Sequence, residues 1–182
     1  MNVSLVMTVI GADRPGLVGR LSAVVADHDG NWLESRMAHL GGQFAGILCA
    51  QVPKAQKPKL LAALQALAAE GLSVQIHEDA SAPAPLARTL ATIEVIGHDR
   101  PGIVRQIAQV LAQHRVNVEE LVTHCGSAPM SGETLFHATA TVRLPESCAL
   151  GQLRRALEQI ATDLMVDVAV LPGRPVASAG VE

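Results

Sequence analysis

The chain has 182 residues, 49% of them hydrophobic and 17% charged, with a formal net charge of −3. That is enough apolar material for packed cores and too little charge for a disordered chain, and it supplies no basic stripe of the kind a protein needs to grip DNA unaided. Trp32, Phe44 and Phe136 are the only aromatic residues of the Phe, Trp and Tyr class, so stacking platforms for single-stranded nucleic acid are not expected.

Met1–Ser4 run straight into a strand pattern with no charged segment ahead of a long apolar run. No signal peptide is expected, and no apolar stretch has the length of a membrane span. Leu5–Ile10 is β-branched and aliphatic and ends at Gly11, which predicts a strand with Met7 and Val9 on one face and Thr8 on the other. Pro15 suits a first helical position, and Leu17, Leu21, Val24 and Val25 follow at helical spacing. The helix stops near Gly30. Asn31–Ala38 and Phe44–Val52 read as strands, separated by the turn residues Gly41-Gly42. Proline then opens a second helix segment, with Leu60, Leu61, Leu64 and Leu67 on one face, and a last strand covers Leu72–His77.

The same order then repeats. Thr92–Ile96 predicts a strand, Pro101 a helix start, and Ile103, Ile107, Val110 and Leu111 the helix face. Strands follow over Asn117–His124 and Phe136–Leu144, then a helix marked by Leu153, Ala156, Leu157 and Ile160, then a strand over Leu164–Leu171. Asp13-Arg14-Pro15-Gly16 returns as Asp99-Arg100-Pro101-Gly102, 86 residues on, and Asn31 as Asn117 at the same offset. From Phe44 and Phe136 onward the offset is 92, so about six extra residues fall within the loop-like Gly126–Gly132. The 92-residue offset is expected to persist to the end, matching Leu72-Ser73-Val74 with Leu164-Met165-Val166.

Each copy therefore reads β-α-β-β-α-β: an α+β, ferredoxin-like arrangement with an antiparallel sheet and both helices on one face. The expected organisation is a first module over 1–79, a Pro- and Ala-rich linker over 80–88, a second module over 89–172 and a flexible tail over 173–182. The bare sheet faces or edges are where modules or chains should associate, so a homo-oligomer is expected. Cys49, Cys125 and Cys148 are odd in number, widely spaced and without a CxxC pair, which suggests reduced thiols and a cytoplasmic protein.

The strand–Gly-x-Asp-Arg-Pro-Gly–helix turn is where chemistry could sit. A helix start offers unpaired N–H groups and a positive dipole end suited to a carboxylate. Gly16 and Gly102 lack a Cβ, so a ligand can approach closely. Asp13 and Asp99 could pair with an ammonium, and the amides of Asn31 and Asn117 both donate and accept. Together these groups are complementary to a free α-amino acid. The same residues also make an ordinary helix start, Asp offsetting the dipole and Pro fixing φ; the residues alone leave both readings open. Elsewhere, His124-Cys125 and His137 lie on neighbouring predicted strands and could approach, but a metal centre wants further ligands in fixed geometry; no metal and no cofactor is expected. No Gly-x-Ser-x-Gly nucleophile elbow is present. Arg154-Arg155 reads as a solvated helix face.

The βαββαβ pattern with Gly-x-Asp-Arg-Pro-Gly-[Leu/Ile]-Val and a following Asn resembles the ACT-domain family, which regulates by binding amino acids, from Val3 to Pro172. The resemblance implies ligand sites at an interface between modules near the helix-start loop, at Asp13, Pro15, Gly16 and Asn31 in one copy and His98, Asp99, Pro101, Gly102 and Asn117 in the other. His98 stands where the first copy has Ala12, so the two sites need not be equivalent. Two such modules filling a chain are similar to the repressor branch of the family. That likeness implies a transcriptional repressor of the glycine cleavage system, responsive to a small amino acid such as glycine. It would act through a DNA-binding activator protein rather than on DNA or a membrane, and without enzymatic activity. The alternatives are an enzyme or regulatory subunit of amino-acid or one-carbon metabolism, and a scaffold that ignores ligands.

Overall fold

The structure is a computed structural model and describes residues 1–78, 89–127 and 132–173. The chain divides into two compact units between residues 84 and 85. The expected linker (80–88), most of the expected tail (174–182) and part of the expected insertion (128–131) lie outside the described residues.

In the first unit the order is β1 (Asn2–Ala12), α1 (Leu17–Ala26), β2 (Asn31–Leu40), β3 (Gln43–Pro53), α2 (Lys57–Ala66) with a 3-10 turn (Leu67–Glu70), and β4 (Leu72–Glu78). The second unit repeats it as β5 (Leu90–His98), α3 (Ile103–Gln113), β6 (Asn117–Ser127), β7 (Thr134–Arg143), α4 (Leu150–Leu164) and β8 (Val166–Pro172). The sheets have strand orders β2-β3-β1-β4 and β6-β7-β5-β8, with every pairing in the first sheet antiparallel and likewise in the second. This is the ferredoxin-like α+β arrangement of tandem modules.

Strand alternation builds each core. Leu5, Met7 and Val9 of β1, with Leu48, Ala50 and Val52 of β3, face Leu17, Leu21, Val24 and Val25 of α1 and Leu60 and Leu64 of α2. Thr8 and Ile10 point to the open face. In the second unit Ile93, Val95, Ala138, Ala140 and Val142 meet Ile103, Ile107, Leu111, Leu153 and Leu157 in the same way. The pattern follows from period-2 strands packed under period-3.6 helices. The Gly41-Gly42 link between β2 and β3 has φ of 58° and 78°, as a two-residue hairpin loop of the primed type requires. Among the described residues no helix is long and apolar enough to cross a membrane.

Two local expectations are corrected. Pro15 and Pro101 do not open the helices. They stand in a turn whose next residue, Gly16 or Gly102, is the N-cap at φ 93° or 101°, and this left-handed residue redirects the chain before the helix begins. The 92-residue offset also does not hold to the end. Gly11 lies opposite Leu72 and Gly97 opposite Val166, which makes Leu72 and Val166 the equivalent pair, 94 residues apart. The cause is α4, which runs unbroken through the buried Leu164, where the first copy stops its α-helix at Ala66 and tightens into a 3-10 turn ending at Gly71. Leu164 is thus a helix core residue and not part of the last strand.

Candidate functional site

The repeated turn has the same geometry in both modules. The Asp13 N–H donates to Gly42 O (2.9 Å) and the Asp99 N–H to Thr134 O (3.0 Å), which fixes the strand end. The cap glycine's carbonyl then accepts the first helical bond, from the Arg20 N–H (2.8 Å) or the Gln106 N–H (3.0 Å). Neither helix has a side-chain cap, so neither Asp is spent on capping. The N–H groups of Leu17, Val18 and Gly19, and of Ile103, Val104 and Arg105, have no intrahelical partner. A Cβ built on Gly16 or Gly102 meets nothing within 4 Å. The space in front of each helix start is open, and the positive φ, not crowding, demands glycine there.

The first glycine of the motif has a different reason. A Cβ on Gly11 would come against the Gly71 carbonyl oxygen, and one on Gly97 would lie 2.6 Å from the Met165 carbonyl oxygen. These residues let the neighbouring strand enter the sheet beside the motif. The motif arginine is structural as well. Arg14 Nη2 donates to Glu70 O (2.6 Å) and Arg100 Nη1 to Asp163 O (3.4 Å), so in each module a cation sits on a carbonyl at the end of the second helical segment, where the dipole favours it. In the first module Arg20 adds a forked ion pair to the Glu70 carboxylate, at 2.7–3.2 Å. The Arg20 hydrogen bond holds the Glu70 carboxyl below its usual range, and the Glu70 partner raises Arg20. Sequence reasoning missed these ties because their partners lie 50 to 63 residues away.

The motif aspartates face different chemistry. Asp13 Oδ2 lies 3.7 Å from His39 Nε2. At the position equivalent to His39 the second module has Cys125, whose thiol is pushed up first by burial and then by the charge of Asp99 and a hydrogen bond with it. His98 Nδ1 faces Glu133 Oε2 at 3.5 Å, a contact that Ala12 of the first module cannot make. The two turns are thus alike in backbone and unlike in side chains.

Asp13, Pro15 and Gly16 come together, and so do His98, Asp99, Pro101 and Gly102, but neither asparagine joins the turn of its own module. Asn31 pairs with Gln51, and Gln51 with Ser4 of β1. Ser4 is eight residues from Ala12, roughly 26 Å at the rise of a strand. Asn117 pairs with Arg143, opposite Leu90, at the far end of β5 from His98. Asn117 is also engaged locally. Its Nδ2 donates to Glu119 Oε1 (2.7 Å), and the Arg143 guanidinium donates to both carboxylate oxygens of Glu119 (2.9 and 3.1 Å). The first module has Leu33 and Gln51 at those two positions.

Pro101 and Gly102 border an open groove of about 440 Å³ with Arg105, Gln106 and Gln109. A small apolar slot of about 50 Å³ lies between α3 and the edge strand β6, lined by Val104, Ile107, Val118, Leu121 and Phe136 among others. At the position of Val118 the first module has Trp32, half-buried against its core. Among the described residues no cluster of three or more His, Cys, Asp or Glu is placed to hold a metal ion.

Comparison with known proteins follows the same division. Family models of the ACT domain match residues 4–79 and 91–143. The glycine cleavage system transcriptional repressor of Escherichia coli (strain K12) is 26% identical over 161 residues, 88% of this chain and 85% of that protein. A UPF0237 protein of Methanopyrus kandleri is 39% identical over 83 residues, 45% of this chain and 86% of that protein. Among solved structures, an unknown protein from Galdieria sulphuraria superposes with a TM-score of 0.81 at 29% identity, over 96% of this chain and all of that one (100%).

Proposed function

This chain belongs to the ACT-domain family, and on that footing we propose that it is an amino-acid-responsive regulator that represses the glycine cleavage system through a protein partner and has no catalytic activity of its own. The observation that carries the reading is the duplicated turn: an open helix start behind a left-handed glycine, with an aspartate that caps nothing. Helix N–H groups would take the ligand carboxylate and Asp13 or Asp99 its ammonium. The role at the glycine cleavage system is carried over from the Escherichia coli relative. The net charge of −3 supports action through a DNA-binding activator rather than on DNA.

In this reading the ligand site is shared. Asn31 and Asn117 lie at the far ends of their sheets from the motif turns, so the amide that completes a site comes from a second copy of the chain. Strands β2 and β6 are sheet edges, and an antiparallel approach of the same edge from two copies of the chain sets the asparagine end of one copy beside the turn of the other. Ligand then favours one arrangement of modules, and by linkage that arrangement changes the affinity for the partner.

A thermal-shift screen of the purified chain against the twenty amino acids tests this. A ligand bound only by the folded state raises Tm by mass action. The expected result is a shift with one or two small amino acids, glycine among them, that is lost in Gly102→Val with the fold retained. No shift at millimolar concentration, or turnover of an amino acid by the chain alone, would overturn the reading.

A further inference from the structure

His124 and His137 are directly paired across β6 and β7. Their rings stack with centroids 4.7 Å apart and planes 5° from parallel. Both lie on the open face of the sheet, because Phe136 and Ala138 on either side of His137 are buried toward the helices. Strand β6 is the sheet edge, so His124 is exposed and His137 is half-buried. The first module has Ala38 and Ala45 at these positions, paired in the same register. The fold therefore does not need the histidines.

We propose that His124 and His137 form a two-donor site for a divalent transition ion of the Zn²⁺, Ni²⁺ or Cu²⁺ kind, with water in the remaining positions. Imidazole is the side chain suited to these ions. Two nitrogens bound to one tetrahedral ion at about 2.0–2.1 Å stand about 3.3 Å apart. The rings, 4.7 Å apart at their centres, reach that separation by tilting toward each other, and His124 is exposed on the open face of the sheet. The neighbouring donors do not join. Cys125 lies opposite the buried Phe136, which places it on the helix side of the sheet, against Asp99. His98 is a diagonal neighbour on the open face, about 7–8 Å away, and faces Glu133. A site with two protein ligands holds its ion less tightly than a closed four-ligand centre. It bridges the edge strand to its neighbour, so a bound ion favours the folded pairing of β6 with β7.

Calorimetric titration of the full chain with ZnCl₂, alongside H124A, H137A and H98A, tests the proposal. The first module carries alanine at both positions, so H124A and H137A keep the fold. The expected result is one ion per chain, weakened at least about tenfold in H124A and in H137A and unchanged in H98A. With Cu²⁺ as the probe, electron paramagnetic resonance should show two imidazole nitrogens in the wild type and one in H137A. The chain has seven histidines, so binding that keeps its wild-type strength in H137A would belong to others and would overturn the proposal, as would the absence of saturable binding or its loss in H98A.

Discussion

Two glycines five residues apart in the repeated motif answer to different physics, and substitutions separate them. Gly11 and Gly97 have no room for a Cβ because backbone of the neighbouring strand occupies the space. Alanine there is overpacking against main chain, and we expect G11A and G97A each to cost about 1–3 kcal/mol, read by denaturant unfolding. Gly16 and Gly102 face open space, and the cost of alanine is that of a left-handed residue, about 1–2 kcal/mol, with no clash. Equal costs that vanish when the crowded strand start is altered would contradict this division. The sequence displays all four glycines, yet it cannot say which is held by a carbonyl and which by φ, since one property depends on residues 60 to 70 positions away and the other on a local torsion. Arg14 and Arg100 illustrate the same limit. They tie the turn to the end of the second helical segment through carbonyls 56 and 63 residues away.

At the scale of elements, the helices and strands were readable because each side of every layer repeats with its own period, and the duplication supplied the check. Where the copies differ in construction the check misled. Leu72-Ser73-Val74 and Leu164-Met165-Val166 match in hydropathy, but one is strand and the other begins in a helix, because α4 continues where α2 gives way to a 3-10 turn. The candidate site was readable only in part. The turn residues assemble as spacing suggests, whereas Asn31 and Asn117 are set apart by the length of a strand, a separation that hydrophobic pattern does not encode. The Arg20–Glu70 pair that ties α1 to the 3-10 turn gives an expectation in pH. Because the folded Glu70 carboxyl is depressed, its contribution is present above the unfolded carboxylate pKa and is lost as pH falls through the lower, folded value. Both partners are well exposed, so the effect is small. Glu70→Gln should flatten the acid limb of the stability curve, and an unchanged limb would show the pair to be idle.

Over the whole molecule, duplication has kept the backbone and let the side chains diverge. The turn of one module sets His39 against its aspartate, and that of the other sets Cys125. One sheet carries paired alanines where the other carries stacked histidines. A chain of this net charge should not bind duplex DNA by itself. In a mobility-shift assay at low salt we expect no retardation without a protein partner, and retardation by the chain alone would remove the basis for partner-mediated repression.

Trp32 fills a position that Val118 leaves unfilled, it adjoins Asn31, and it is the only tryptophan in a chain without tyrosine. Its indole Nε1–H donates to Ser35 Oγ at 3.2 Å, at the asparagine end of the first sheet. Intrinsic fluorescence from this protein is therefore a one-module optical channel. On the proposed reading, an amino acid whose site includes Asn31 is expected to change the emission as well as to release heat in a calorimeter. Comparing the two isotherms tests whether Asn31 belongs to an occupied site without any label or substitution.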